Sequence, residues 1–156
     1  CISSGDARRS VEWQVLVTIA AAFGVGTALE KSGAATAIAT SLVDSTQAWG
    51  PIAALAVIYV LGSILTELIT NNAAAVLMFP FCIETARLYG ADSRPFLIAL
   101  ILSASASFMT PIGYQTNMMV YGPGGYRFSD FLKIGGPLNL ILAIVAVVLI
   151  PWIWPF

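Results

Sequence analysis

The sequence predicts an all-α integral membrane chain whose helices are interrupted inside the bilayer, and three observations carry that prediction. The chain is 58% apolar and only 10% charged, whereas a soluble domain is about a quarter charged, so these side chains could not cover a folded surface in water. Several apolar stretches approach or exceed the roughly 17–20 residues that take a helix across a bilayer. Strict apolar–polar alternation is absent, and the runs are longer than the strands of about ten residues that build membrane barrels.

The elements follow in order. Residues 1–10 are polar and read as the end of a linker from a preceding domain, so residues 11–156 form a C-terminal membrane unit. Residues 11–29 are a first span, with Trp13 at one interface, Glu30 and Lys31 at the other, and Gly24 and Gly26 allowing close helix packing. Residues 32–47, rich in Ala and Thr, read as an amphipathic helix along the interface. Residues 51–68 and 73–88 are two apolar limbs of similar length, separated by the polar run Thr66-Glu67-Leu68-Ile69-Thr70-Asn71-Asn72. The chain turns at residues 92–95, is helical over 96–109, breaks over 110–117 and resumes at Met118. Residues 122–136, with several Gly and one Pro, connect outside the membrane to a last span over 138–154, where Trp152 and Trp154 suit the headgroup level.

Several function classes are excluded by what the chain lacks. A net charge of −1 leaves no basic stripe to replace phosphate counterions, which excludes nucleic acid as a partner. Histidine is absent, removing the usual general base and the commonest transition-metal ligand. Cys1 and Cys82 have no metal or redox spacing, and Cys82, within an apolar run, is a small hydrophobe. No Ser-His pair, His-Glu metal motif or Asp dyad supports an intramembrane enzyme.

The two polar interruptions carry the chemistry. Unpaired backbone groups in hydrocarbon cost several kcal/mol each, so irregular backbone survives there only when it lines a cavity or is buried in protein. The first interruption is a hairpin apex if the limbs form a re-entrant pair, and an ordinary loop if they are two full spans. The second is a cavity-lining break or a proline kink at Pro111. Two such breaks close in sequence are the pattern of a transporter's midplane site. Asn72 or Asn71 is expected to cap the helix beginning at Ala73, and Asn117 the one beginning at Met118. Helix N-termini attract anions, while the carbonyls ending the preceding half-helices near Leu68 and Met109, with Asn and Thr oxygens, suit a hard cation such as sodium.

Charge near these breaks is sparse. Over residues 55–121 the only basic residues are Arg87 and Arg94, both near segment ends, so a bound anion is expected to be neutralised by helix N-termini and co-bound cations. Glu67 is the one carboxylate placed deep in the membrane. It is either a functional group or the partner of a basic residue on a helix outside this chain.

At these same residues the sequence resembles a known family. The run Ala104-Ser105-Ala106-Ser107-Phe108-Met109-Thr110-Pro111-Ile112-Gly113-Tyr114-Gln115-Thr116-Asn117-Met118-Met119-Val120 is similar to the sodium:sulfate symporter signature at every fixed position. Thr66 to Asn72 resembles the second Ser-Asn-Thr apex of the divalent-anion:sodium symporters, with Thr70 in place of Ser and Asn72 in place of Thr. The resemblance implies a secondary transporter of two inverted repeats, of which this chain is the second, with a re-entrant helical hairpin and a broken transmembrane helix. It implies sodium as the coupling ion, held by Thr66, Asn71 and the backbone near Ile69 and Gly113. It implies a substrate face of Thr70, Asn71, Asn72, Gly113, Tyr114, Gln115, Thr116 and Asn117. A homodimer in the plasma (inner) membrane, completed by the N-terminal repeat and embedded in lipid, goes with it. Gly113-Tyr114-Gln115-Thr116-Asn117 followed by Tyr121-Gly122-Pro123-Gly124-Gly125-Tyr126 resembles the sulfate-permease-like branch, whose members carry soluble regulatory domains between their halves.

The expected function is therefore sodium-coupled symport of sulfate or a similar inorganic anion by alternating access. A dicarboxylate carrier, an arsenite-type exporter or a channel subunit are the alternatives. Reading the spans in order places Arg8, Arg9, Arg127 and Lys133 on one face and Lys31, Arg87 and Arg94 on the other. The richer face is expected to be cytoplasmic.

Overall fold

The computed structural model describes Val11 and residues 13–156, and seven α-helices account for most of these described residues. The expected linker, with Cys1, Arg8 and Arg9, lies outside the described residues. The helices are α1 (Trp13–Lys31), α2 (Ala34–Thr46), α3 (Pro51–Leu68), α4 (Asn71–Tyr89), α5 (Arg94–Ser105), α6 (Gln115–Tyr121) and α7 (Phe128–Ile153), with a short 3-10 turn (Gln47–Trp49) before α3. No strand occurs among the described residues.

Local chemistry sets most of the boundaries. Pro51 opens α3, where its fixed φ suits the first turn and its missing N–H costs nothing. Pro95 does the same in α5, and the Asp92 carboxylate accepts the Arg94 N–H at 2.9 Å just ahead of it. α7 starts where Asp130, an acid in the first turn, accepts the Arg127 N–H at 2.8 Å.

Two boundaries differ most from the sequence expectation. α5 ends at Ser105 instead of Met109. The hydroxyls of Ser103 and Ser105 donate back to the carbonyls of Leu100 and Ile101, both at 3.0 Å, and Ala106 N–H closes a tightened turn on Ser103 O at 3.1 Å. Such back-bonding competes with the helical ladder. α7 begins at Phe128, so only residues 122–127 connect it to α6. Gly135-Gly136-Pro137 reads as a loop in water, but membrane helices tolerate these residues where neighbouring protein packs on them.

α3 is the hub. Its Leu55, Ile58 and Tyr59 form the core with Met78 and Cys82 of α4, Phe96 and Leu100 of α5, and Ala146 and Ile150 of α7. Cys82 is fully buried and unpaired, a small apolar filler as expected. The buried residues of α2, Ala35, Ala39, Leu42 and Thr46, recur at helical spacing on the stripe that meets α4. The Thr46 hydroxyl lies 2.7 Å from the Tyr89 hydroxyl. α1 packs on α4 and α2, and Phe156 folds back so that its ring centroid lies 5.3 Å from that of Phe96.

Among the described residues, α3 and α7 are long and apolar enough to cross a membrane. α7 is not the buried centre of a soluble fold. Leu140, Ile141, Ile144 and Val148 are exposed along it, an apolar face too extensive to sit in water.

Candidate functional site

The first break is short. Only Ile69 and Thr70 separate α3 from α4, and the Ile69 N–H still reaches Leu65 O at 2.9 Å. Thr70, with extended backbone (φ −67°, ψ 149°), is the N-cap: its hydroxyl accepts the Ala73 N–H at 3.4 Å and its carbonyl the Ala74 N–H at 2.9 Å. The expected cap, Asn72 or Asn71, is thus corrected to Thr70. A cap needs extended backbone with its side-chain oxygen facing the helix, and Asn71 is already the first helical residue. Its side chain turns back to α3 instead, where Asn71 Oδ1 lies 2.8 Å from the Thr66 hydroxyl. Asn72 is exposed.

The second break spans residues 106–114, four residues earlier at its start than expected. It lies against the C-terminal end of α3 and is bonded to it in both directions. The Ser107 hydroxyl donates to Thr66 O at 3.3 Å and the Thr110 hydroxyl to Glu67 O at 3.2 Å. The Thr66 hydroxyl lies 2.6 Å from Ala104 O. In the opposite direction, Glu67 Oε1 accepts the Met109 N–H and Oε2 the Thr110 N–H, each at 2.8 Å. The carbonyls that close α3 therefore already receive hydroxyl bonds from the second break.

α7 supports this junction from behind. Asn139 Nδ2 donates to Glu67 Oε1 at 3.3 Å and to the Ser63 hydroxyl at 3.4 Å. A Cβ at Gly135 would overlap the Phe108 carbonyl, so only glycine lets the α7 backbone rest directly on the break. Thr66 is 0%, Glu67 4% and Asn139 6% exposed, while Met109, Thr110 and Asn117 around them are half-buried. Three N–H groups of this chain surround the Glu67 carboxylate.

Gly113 and Asn117 complete the arrangement. The Gly113 N–H donates to the Thr110 hydroxyl at 3.1 Å. A Cβ there would overlap the Ser107 hydroxyl and come within 3.1 Å of Thr66 O, so no larger residue fits so close to the end of α3. Asn117 is not the cap of a helix beginning at Met118. α6 starts at Gln115 with Tyr114 as its N-cap, which makes Asn117 an interior residue. Its amide crosses back to the break, donating to Ser107 O at 3.0 Å and Thr110 O at 3.1 Å.

Of the residues singled out from the sequence, Thr66, Asn71, Gly113 and Asn117 are thus brought into one bonded cluster. Ile69 and Thr70 sit at its edge, while Asn72, Tyr114, Gln115 and Thr116 are exposed beside it. Ser63, Ser107, Gly135 and Asn139 belong to the cluster and were not anticipated. Asn139 had a legible signal, a lone amide in an otherwise apolar span, since such residues join helices in membranes.

Comparison with known proteins fits this geometry. The family model described as citrate transporter matches residues 1–94, which include the first break. An uncharacterized transporter of Synechocystis is 40% identical over 154 residues, 99% of this chain and 25% of its own length. An uncharacterized transporter of Escherichia coli is 36% identical over 156 residues, 100% of this chain and 26% of its own length. Sodium/sulfate cotransporter 1 of Chlamydomonas reinhardtii is 40% identical over 147 residues, 94% of this chain and 17% of its own length. The chain spans about a quarter of the length of the first two. It belongs to the citrate transporter family, a family of integral membrane transporters rather than enzymes, in keeping with the divalent-anion:sodium symporter motifs at its two breaks.

Proposed function

We propose that this chain is the second inverted repeat of a sodium-coupled symporter for sulfate or a similar divalent inorganic anion, working by alternating access. The observation that carries the proposal is the mutual bonding of two helix breaks. The end of α3, the start of α4 and residues 106–114 meet in one junction of hydroxyls, amides and carbonyls centred on the buried Thr66 and Glu67. Irregular backbone at membrane depth is the mark of a transport site.

In this reading α3 and α4 are the limbs of a re-entrant hairpin. The first-turn amides of Asn71 and Asn72 have no intrahelical acceptor, as in any helix, and face the anion with the positive end of the α4 dipole. Thr70, Asn71, Asn72, Gly113, Tyr114, Gln115, Thr116 and Asn117 form the substrate face. Thr66, Asn71 and the backbone of Ile69 and Gly113 hold the co-transported sodium. The donor set fits a hard cation. The Thr66 hydroxyl lies within hydrogen-bond distance of two oxygens, Asn71 Oδ1 and Ala104 O, but carries one hydrogen. With the Asn71 amide turned, its NH2 donates to the Thr66 hydroxyl, which donates to Ala104 O, and both contacts are hydrogen bonds; a bound sodium would instead draw on these same oxygens as ligands.

The first repeat supplies the facing wall, lipid surrounds the outside, and the functional unit is a homodimer in the plasma (inner) membrane. The face bearing Arg127 and Lys133 is cytoplasmic. The similarity to Chlamydomonas sodium/sulfate cotransporters supports sulfate and sodium. The family description favours a second substrate reading, a di- or tricarboxylate such as citrate.

Counterflow of labelled sulfate in proteoliposomes holding the full-length protein tests the proposal. Sodium-dependent counterflow that excess unlabelled sulfate abolishes and citrate leaves untouched is expected. Competition by citrate with no uptake of sulfate would move the substrate to the carboxylates, and uptake indifferent to sodium would overturn the coupling.

A further inference from the structure

We propose that Glu67 is a positioning residue: its carboxylate clasps the second break to the end of α3 and thereby sets the geometry of both the sodium and the anion contacts. An acid buried in a membrane protein is ordinarily read as a proton carrier or an ion ligand. Here both oxygens are engaged in holding backbone. Oε1 takes the Met109 N–H and Oε2 the Thr110 N–H, each at 2.8 Å, and Oε1 also takes the Asn139 amide at 3.3 Å. Two consecutive amides on the two oxygens of one carboxylate form a fork that fixes the 109–110 peptide in place and orientation.

The rest of the site hangs from that peptide. The Thr110 hydroxyl, once placed, accepts the Gly113 N–H at 3.1 Å and donates to Glu67 O at 3.2 Å. Its carbonyl is one of the two acceptors of the Asn117 amide. Moving the fork therefore moves Gly113 and Asn117 together, although Glu67 contacts neither.

The chemistry explains why an acid is used. Amides in a break have no helical acceptor, and a buried one without a partner is costly. Two neighbouring N–H groups need two acceptor atoms, which a carboxylate has and a carboxamide lacks. Gln at this position would turn an NH2 toward one of them. Asp would be one methylene too short to reach both from the same helix position.

The inference rests on the proposed transport function only for its kinetic readout, so its first test is independent of transport. Hydrogen exchange would be measured on the full-length protein in lipid nanodiscs, with Glu67→Gln beside the wild type. Of the amides of Met109 and Thr110, the one that the new NH2 faces is expected to exchange about tenfold faster in the variant, the effect of one lost hydrogen bond, with α3 and α7 unchanged. Unchanged exchange at 109–110, or an equal rise across all helices, would overturn the clasp. If Glu67→Gln does not accumulate, Glu67→Asp is measured instead, with faster exchange at one of the two amides expected. In proteoliposomes, Glu67→Gln is expected to raise the KM for sodium and for sulfate together by about tenfold. Its maximal rate should stay within about twofold of wild type and its pH profile should not change. A pH dependence that disappears in the variant would make Glu67 a proton carrier and overturn the proposal. Altered exchange at 109–110 in a protein with no sodium-dependent uptake would leave the clasp standing and remove the transport reading.

Discussion

The two breaks solve the same problem by opposite means. The first, at Ile69 and Thr70, is nearly self-sufficient. Ile69 continues the bonding of α3 back to Leu65, and Thr70 caps the helix that follows it. The second, residues 106–114, depends on others: its amides are taken by Glu67, its carbonyls by Asn117, and its hydroxyls by the carbonyls of Thr66 and Glu67. The first break is a fixed ledge, and the second is shaped on it. A disturbance at the end of α3 should therefore reach the second break, while changes confined to the tip of the first should stay local.

The largest expected effects fall where the breaks are joined. Asn71→Ala removes the side chain that faces Thr66, and Asn117→Ala removes two hydrogen bonds to break carbonyls, worth about 2 kcal/mol together. Both variants should reach the membrane at normal levels and show no measurable sulfate uptake. Near-normal uptake by Asn71→Ala at low sodium would mean that the first break is merely a loop.

Gly135→Ala comes next. Its Cβ would meet the Phe108 carbonyl, so the backbone of the second break must shift, at a cost of about 1–3 kcal/mol. A lower melting temperature in detergent and a partial loss of uptake are expected. An unchanged melting temperature would show that α7 does not brace the break.

The smallest effects mark the independence of the first break. Thr70→Ala loses the cap and about 1 kcal/mol of stability, whereas Thr70→Ser should retain most of it. Asn72→Ser should be milder than Asn71→Ala, because Thr70 does the capping and Ser keeps a polar side chain on the proposed substrate face. Loss of uptake in Asn72→Ser as complete as in Asn71→Ala would show that the Asn72 carboxamide itself is needed and that the tip of the first break is not independent. Melting curves and uptake rates check each.

The contrast also explains what could be read from the sequence. α3 was legible to the residue, because Pro51 starts it and the polar run ends it, and α4 was legible to within two residues at its start and one at its end. That Thr66, Asn71, Gly113 and Asn117 lie close together was legible through their residue types and the two motifs, at residues 66–72 and 104–120, that carry them. The bounds of the second break were not. Phe108 and Met109 are apolar and read as helix, and the acceptor that meets the Met109 and Thr110 N–H groups outside a helix is Glu67, far away in sequence. The partners of Glu67 were illegible for the same reason: they are backbone amides, which look alike at every position. The start of α7 was hidden because Gly135-Gly136-Pro137 has the composition of a loop, and only packing against Phe108 explains a helix there. The capping role went to Thr70 instead of an Asn because the helix began two residues earlier than its apolar pattern implied.

Binding linkage tests the central claim, that one junction serves both sodium and anion, most directly. Sulfate affinity of the purified full-length protein would be titrated at several sodium concentrations, and sodium affinity at several sulfate concentrations. Sulfate is expected to bind more tightly as sodium rises, with sodium affinity rising by the same factor as sulfate is added. Asn71→Ala is expected to abolish that coupling. A sulfate affinity that is the same at every sodium concentration would contradict the account.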